Sequence, residues 1–279
     1  MSLARATAVA LLSWSVLTLA GCDGSTPAAV SAPDAQAPAS NSTADAASPA
    51  TGHDALEVTW KPLFNGVDFA GWDRYLGKST GTDPPPGIDN DPRGVYSIVT
   101  VEGEPAIRIS GEVWGALISR VEMCNFHLRG QYKWGTRMWP PLNVLDSGIM
   151  YMSTGPLGAV NAGGNALSDP IGSGAFMVSM EYQLTPVDSG GMYNLGPIAF
   201  QQSNRVASHE LPGTWNQVDI IVGPDSVRHL LNQQEISVGS NFRLTWPQQA
   251  PMALSCGKLQ LQSEGGEIYF RRLEIALGP

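Results

Sequence analysis

The chain has 279 residues, of which 43% are hydrophobic and 15% charged, and its formal net charge at pH 7 is −9. No basic stripe is available to release counterions from phosphates, so this balance excludes a nucleic-acid partner. The 31 glycines and 21 prolines fall between short apolar runs, a distribution that is typical of turns linking strands.

The N-terminus, residues 1–21, has the pattern of an export signal. Arg5 precedes an apolar stretch over residues 6–20, and small residues stand just before Cys22. The stretch is too short, and too often interrupted by Ser and Thr, for a membrane span. Residues 19–22, Leu-Ala-Gly-Cys, resemble the lipobox of bacterial lipoproteins. That resemblance implies a diacylated Cys22 and a location in the bacterial cell envelope, on the periplasmic face or the outer surface. The alternative is an ordinary cleaved signal.

Residues 22–56 consist mostly of Ala, Ser, Pro, Thr and Asp and contain no Phe, Tyr or Trp. Such a segment cannot bury enough apolar surface to offset its ordering entropy, so we expect a disordered tether. The tether would hold a folded domain, residues 57–279, off the membrane surface.

The folded domain shows a period of two. In the segment 126–134, Phe, Leu, Tyr and Trp share one face, whereas His127, Arg129, Gln131 and Lys133 share the other. Residues 179–184, 258–264 and 269–277 alternate in the same way, and no amphipathic helix of three turns is found. The sequence therefore predicts an all-β sandwich or barrel.

The polar faces of these strands carry Gln, Glu and Arg, and aromatic residues stand nearby. Amides bond hydroxyl groups and aromatic rings stack on the C–H face of a pyranose, so this combination favours a carbohydrate ligand. A solvated outer sheet is the alternative for any single strand.

Cys124 and Cys256 both lie next to predicted strands, in what should be an oxidising compartment. The sequence leaves open whether they form a disulfide or stay as two buried free thiols.

Five segments together resemble the 3-keto-disaccharide hydrolase domain family. They follow one another in the family's order and cover nearly all of residues 60–275; they are Trp60–Trp72, Phe126–Trp134, Asp146–Tyr151, Ser179–Leu184 and Leu261–Leu273. The resemblance implies a concanavalin-like jelly roll of two antiparallel sheets with a curved ligand face.

Two departures from the family pattern bear on function. The stretch 185–191 keeps Asp188 and Gly190 of an acidic turn but lacks two of its acids, and Gln131 stands where some members carry an acid. If those acids bind metal or assist chemistry in other members, this protein lacks that contribution.

The resemblance implies chemistry on glycosides that are oxidised at C3. The ketone acidifies the C2 hydrogen, a base removes it, the enolate expels the C1 aglycone, and water adds back. Such a site needs a base, a group that stabilises the enolate, and an acid for the leaving group. We assign Glu181 as base, Glu264 as second carboxylate and Arg271 as the cation. Each has a structural alternative: Glu181 could be a surface acid, Glu264 a turn cap and Arg271 an ion-pair partner.

Further candidates for substrate binding share the polar faces or stand near them: Gln183, Lys133, Arg129, Asp146, Gln262, Trp114 and Trp139. Solvation, backbone capping or burial are the alternatives. The His residues show no metal-ligand spacing and no cofactor is indicated, although a divalent cation held by carboxylates and amides stays open.

The sequence thus favours an envelope-anchored hydrolase or lyase of 3-keto glycosides, with an oxidised glycoside as ligand and the lipid anchor as its sole membrane contact. A non-catalytic carbohydrate-binding lipoprotein that uses the same concave face is the alternative. A conventional glycosidase with two carboxylates comes third, since the separation that defines it cannot be read from sequence.

Overall fold

The computed structural model describes residues 59–77, 85–160 and 174–278. The predicted signal peptide, Cys22 and the predicted tether lie outside these ranges. Within them, every regular element is a β-strand, as the alternation predicts. No helix in the described ranges has the length and hydropathy that a membrane crossing requires.

The strands are, in chain order, β1 (Lys61–Pro62), β2 (Trp72–Leu76), β3 (Gly87–Ile88), β4 (Tyr96–Val101), β5 (Glu104–Ile109), β6 (Gly115–Ser119), β7 (Met123–Cys124), β8 (Phe126–Met138), β9 (Ser147–Thr154), β10 (Val178–Leu184), β11 (Met192–Leu195), β12 (Ile198–Arg205), β13 (Asn216–Val222), β14 (Ser226–Leu231), β15 (Gln234–Leu244), β16 (Met252–Ala253), β17 (Cys256–Ser263) and β18 (Gly266–Leu277).

These strands form two sheets, and every pairing in them is antiparallel. The ten-stranded sheet runs β12-β15-β14-β13-β8-β18-β5-β4, with β1 beside β18 and β16 beside β15. The eight-stranded sheet runs β11-β10-β9-β17-β6-β2-β3, with β7 beside β17. The crossovers between distant strands give the predicted jelly-roll sandwich, which the structure confirms.

The apolar faces of the two sheets meet in the core. Tyr182 of β10 spans the sandwich, because its hydroxyl donates to Leu230 O of β14 at 3.0 Å. Tyr151 of β9 does the same through a 2.8 Å hydrogen bond between its hydroxyl and His229 Nε2. Burial lowers the pKa of His229 to about 3, so this imidazole is neutral at physiological pH. These two tyrosines show which face of each sheet points into the core, and the opposite face is therefore the outer one.

Cys124 of β7 and Cys256 of β17 are opposite each other in register and form a disulfide, with a Cα–Cα distance of 4.3 Å. The alternative of two buried free thiols is therefore wrong. The bond closes a loop of 132 residues and fixes β7 to the end of β17.

The outer face of the eight-stranded sheet is partly covered. Residues 174–177 cross it, and the Met177 amide donates to Gln260 Oε1 at 3.2 Å. Gln260 Nε2 in turn donates to Ser153 Oγ at 2.9 Å and Ser179 Oγ at 2.8 Å. All three polar side chains are fully buried. Among the described residues, the crossing segment covers the part of this outer face that carries Gln260, whereas Gln183, at the other end, is partly exposed.

Candidate functional site

Five of the residues predicted from sequence meet at that end of the eight-stranded sheet. Glu181 and Gln183 lie on β10, on the face opposite Met180 and Tyr182 that the alternation assigned to them. Gln262 lies on β17 and Glu264 follows this strand directly, while Asp146 immediately precedes β9. Because β9 runs between β10 and β17, these side chains converge from three adjacent strands.

A glycine makes room for this convergence. Gly148 of β9 is opposite Gln183 in register, between the strands that carry Glu181 and Gln262. A Cβ at this position would overlap Glu181 Oε1 and lie 2.9 Å from Gln262 Oε1. A side chain at residue 148 would therefore fill the space that the carboxyl and the amide enclose. Glycine within a strand often marks such a close approach.

The hydrogen bonds of the cluster are incomplete. Gln183 Nε2 donates to Asp146 Oδ1 at 3.1 Å, and Ser147 Oγ donates to Gln262 O at 2.8 Å. Glu181 Oε1 and Gln262 Oε1, in contrast, are buried without a hydrogen-bond partner within the described residues. An orphaned buried polar atom costs about 1–3 kcal/mol, so these two oxygens oppose folding.

Burial raises the pKa of all three carboxyls, and repulsion from neighbouring carboxylates adds to the shift in Glu181 and Glu264. Burial raises the pKa of Asp146 to about 6, although hydrogen bonds from Gln183 and the Ser147 amide lower it. Burial and then the charge of Asp146 raise the pKa of Glu181 to about 8, while Gln262 opposes this shift. Burial, with the charges of Asp146 and Glu181, also raises the pKa of Glu264 well above its ordinary value. At neutral pH the cluster thus holds an ionised Asp146 beside a protonated Glu181, an acid–base arrangement.

The three predicted cations are not brought to this cluster. Arg271, Lys133 and Arg129 lie on β18 and β8, in the ten-stranded sheet, and point to its outer face. Each is engaged there: Arg271 Nε donates to Gln131 Oε1 at 2.8 Å, Lys133 Nζ lies 2.6 Å from Glu102 Oε1, and Arg129 Nη2 lies 2.8 Å from Glu274 Oε2. Alternation correctly paired Arg129 and Lys133 on one face but did not reveal which sheet that face belongs to.

Among the described residues, no group of three or more His, Cys, Asp or Glu side chains converges closely enough to hold a metal ion.

The sequence model of a family described as the 3-keto-alpha-glucoside-1,2-lyase-like domain matches residues 59–276. The chain belongs to this family. The resemblance read from the five segments is thereby confirmed, and membership supports a carbohydrate-active function. A search among curated proteins finds no sequence that matches the chain.

Solved structures that resemble this lyase-like domain include a candidate glycosyl hydrolase from Parabacteroides distasonis ATCC 8503, at 18% identity and a TM-score of 0.49, covering 79% of this chain and 94% of that one. A second such protein from the same organism has 17% identity, a TM-score of 0.45 and coverages of 79% and 100%. The Bacillus licheniformis beta-glucanase has 13% identity, a TM-score of 0.41 and coverages of 80% and 98%.

The two predicted tryptophans of the lyase-like domain differ in their relation to the cluster. Trp139 donates its backbone N–H to Gly265 O and its indole N–H to Ser110 O, both at 2.8 Å, so it contacts the turn that follows Glu264. Trp114 immediately precedes β6 and is partly buried against the core. Trp139 thus lies beside the turn after Glu264, Trp114 packs on the core, and neither ring is fully exposed as a platform.

Sequence reasoning missed two residues of the site. Gly148 belongs to the family segment Asp146–Tyr151, but its role emerges only from its position between two strands. Tyr193 of β11 is opposite Glu181 in register and is 42% exposed, and its hydroxyl donates to Asp188 Oδ2 at 2.6 Å. An exposed aromatic ring on the same face as a buried carboxyl is a candidate stacking surface for a sugar. The sequence signal for Tyr193 is an aromatic residue in the short segment that directly follows the turn at 185–191.

Proposed function

We propose that the protein is a hydrolase or lyase of 3-keto glycosides that uses the carboxyl cluster of Asp146, Glu181 and Glu264. The observation that carries the proposal is the convergence of these three groups at one end of the eight-stranded sheet, where Glu181 Oε1 and Gln262 Oε1 beside Gly148 have no hydrogen-bond partner within the described residues. Family membership gives the class of substrate.

The reaction needs a base, an acid and a stabiliser of negative charge. A carboxylate removes the proton from C2, and the electrons of that C–H bond form an enolate with the C3 ketone. The enolate then re-forms the C3 ketone and expels the aglycone from C1, and the aglycone oxygen takes up a proton. This elimination leaves a C1–C2 double bond. Water adds its oxygen to C1 and a proton to C2, and this step yields the free 3-keto sugar.

The geometry supports a specific division of these roles. Asp146 is the least buried of the three carboxyls and is held by Gln183, so it is our candidate for the base. Glu181 and Glu264, both more than nine-tenths buried, are candidates for the proton donors. A carboxylic acid that burial keeps neutral can donate a hydrogen bond to an enolate oxygen, a role that the sequence had given to Arg271. The assignment of Glu181 as base is thus replaced in our proposal by an acidic role.

One assay tests the proposal. The full-length protein is incubated with a 3-keto glycoside and with its unoxidised parent, with and without added divalent ions, and release of the aglycone is measured. We expect release from the keto form alone, and a loss of about 100-fold or more in Glu181→Gln, since general acid–base catalysis contributes about 10²–10⁴-fold. Glu122→Gln, at an exposed glutamate, is the matched control. Release from the unoxidised parent would instead indicate a conventional glycosidase.

A non-catalytic carbohydrate-binding protein is the second candidate. The turn at 185–191 lacks two acids of the family pattern, and its remaining acid, Asp188, is engaged by Arg205 and by the Tyr193 hydroxyl. Binding of both sugars without any product, under every ion condition, would favour this candidate and contradict the enzymatic proposal.

We also propose that the domain works in the bacterial cell envelope, anchored through Cys22. The lipobox-like residues 19–22 support this location. Cell fractionation of a Cys22→Ser variant tests it, together with mass spectrometry of the mature N-terminal peptide. We expect the native peptide to carry a diacylglyceryl group and the variant to leave the membrane fraction. An unmodified native N-terminus would contradict the anchor while leaving the enzymatic proposal intact.

A further inference from the structure

The outer face of the ten-stranded sheet carries a groove far from the carboxyl cluster in the fold. A depression of about 240 Å³ is lined by Arg129, Gly130, Gln131, Gln217, Arg272 and Glu274. A second depression of about 300 Å³, between the chain at 62–66 and the start of β5, shares Arg272 and Glu274 with the first. The two depressions are therefore adjacent, with the side chains of Arg272 and Glu274 between them.

A β-bulge in β18 shapes this groove. The register with β8 shifts between Arg271 and Glu274, and Arg272 adopts a φ of 51°. Leu273 turns into the core beneath Gly130, where a Cβ on the glycine would lie 2.6 Å from Leu273 Cδ2. Bulges bend a strand and re-aim its side chains, so the depression is part of the backbone design of this sheet.

Two tryptophans flank the groove, each stacked on an arginine. The guanidinium of Arg271 lies 3.9 Å from the ring centroid of Trp215, and Trp215 Nε1 donates to Glu102 Oε2 at 2.8 Å. Arg271 is only 8% exposed while Trp215 is partly exposed, so the indole covers the guanidinium and lies on the solvent side. Trp60 stacks on Arg129 in the same way, at 3.7 Å.

The charges that line the groove are already paired. Arg129 Nη2 lies 2.8 Å from Glu274 Oε2, and Arg272 Nη2 lies 2.5 Å from Glu104 Oε1. A floor of charge-paired groups has little net attraction for an ion. Gln131 and Gln217 are opposite each other in register between the two tryptophans, and both are partly exposed. Amides on the floor and aromatic rings at the sides suit a neutral ligand that has hydroxyl groups and an apolar face.

We propose that this groove is a second carbohydrate-binding site, which takes a neutral pyranose oligosaccharide independently of the carboxyl cluster. The ring of Trp215 stacks on one sugar unit, and Gln131 and Gln217 bond its hydroxyls. A second sugar unit would lie in the adjacent depression beside Arg272 and Glu274. The site does not depend on catalysis at Asp146, Glu181 and Glu264.

The test is binding of the fluorescently labelled full-length protein to an array of neutral and acidic oligosaccharides, followed by titration calorimetry on the best neutral ligand. We expect Trp215→Ala to weaken binding about tenfold, because a lost aromatic stack corresponds to roughly that factor. Trp215→Phe should restore part of the affinity, and Gln217→Ala should weaken it several-fold. Val121→Ala, at a 65% exposed residue elsewhere, is the control.

Turnover of a 3-keto monoglycoside and thermal unfolding are measured on the same variants. We expect both to be unchanged in Gln217→Ala, so loss of groove binding is distinguishable from failure of the enzymatic proposal and from misfolding. The second site would be overturned if the protein bound no neutral ligand on the array, or bound acidic glycans alone. It would also be overturned if Glu181→Gln removed binding while Trp215→Ala and Gln217→Ala left it intact.

Discussion

Replacing Gly148 by alanine tests the arrangement of the candidate active site with a single methyl group. The new Cβ would overlap Glu181 Oε1 and lie 2.9 Å from Gln262 Oε1, whereas ordinary contacts lie at about 3.5 Å or more. The backbone itself can accept alanine, because Gly148 does not have a positive φ. The two side chains must therefore move by about 1 Å, and the strand need not.

The consequences for stability and activity should differ in size. Overpacking of this kind costs about 1–3 kcal/mol, which corresponds to about 2–4 °C in Tm for each kcal/mol in a domain of this size. A displacement of about 1 Å in a catalytic group can lower the rate about 100-fold. We therefore expect Gly148→Ala to stay folded and to lose about 100-fold in kcat/KM on a 3-keto glycoside.

Thermal unfolding and steady-state kinetics on the same preparations separate the two effects. Gly223→Ala is the matched control, since its Cβ would approach no atom more closely than 3.5 Å and its φ is not positive either. Native kcat/KM in Gly148→Ala would refute the reasoning, because it would mean that the space over Gly148 holds no reacting group.

Three more predictions follow from the carboxyl cluster and the disulfide. The pH profile of kcat/KM should be bell-shaped, rising as Asp146 ionises near pH 6 and falling as Glu181 ionises near pH 8; a profile flat from pH 5 to 9 would contradict the assigned roles. Because the pKa of Glu181 is higher in the folded than in the unfolded chain, its stabilising contribution is complete below about pH 4.5 and is lost as pH rises through about 8. Glu181→Gln should therefore gain several °C in Tm over the native protein between those limits, and an equal Tm difference at pH 4 and pH 9 would contradict this. Replacing Cys124 and Cys256 by serine should lower the free energy of unfolding by about 2–5 kcal/mol in urea titrations; reductant should reproduce the loss in the native protein and leave the variant unchanged.

The sequence predicted the fold well because a period of two requires only local information. The alternation at 126–134 and 179–184 correctly separated core-facing from outward side chains, as the buried Tyr132 and Tyr182 show. It also placed Glu181 with Gln183, since residues two apart in a strand share a face. What alternation cannot give is the sheet to which each strand belongs, because that depends on pairing across more than 100 residues. Lys133 was therefore grouped with Glu181, although the two lie on opposite outer faces of the sandwich.

The roles of the carboxyls changed for the same reason. Charge and residue type suggested Glu181 as a base, but its protonation depends on burial and on the neighbouring charge of Asp146, which comes from a different strand. Neither the burial of Glu181 nor its proximity to Asp146 can be read from a segment in isolation.

The cluster is difficult to explain as a structural feature. Three carboxyls lie within electrostatic reach of one another in a largely buried place, and two neighbouring oxygens have no hydrogen-bond partner within the described residues. Each of these properties destabilises the folded chain, and well-packed apolar side chains in the same positions would be neutral or stabilising. Structural ion pairs on the ten-stranded sheet show the contrast, since there each predicted cation has a carboxylate or an amide partner. A site that opposes folding in this way, with carboxyl pKa values spread around neutrality, is what acid–base chemistry on a bound ligand requires.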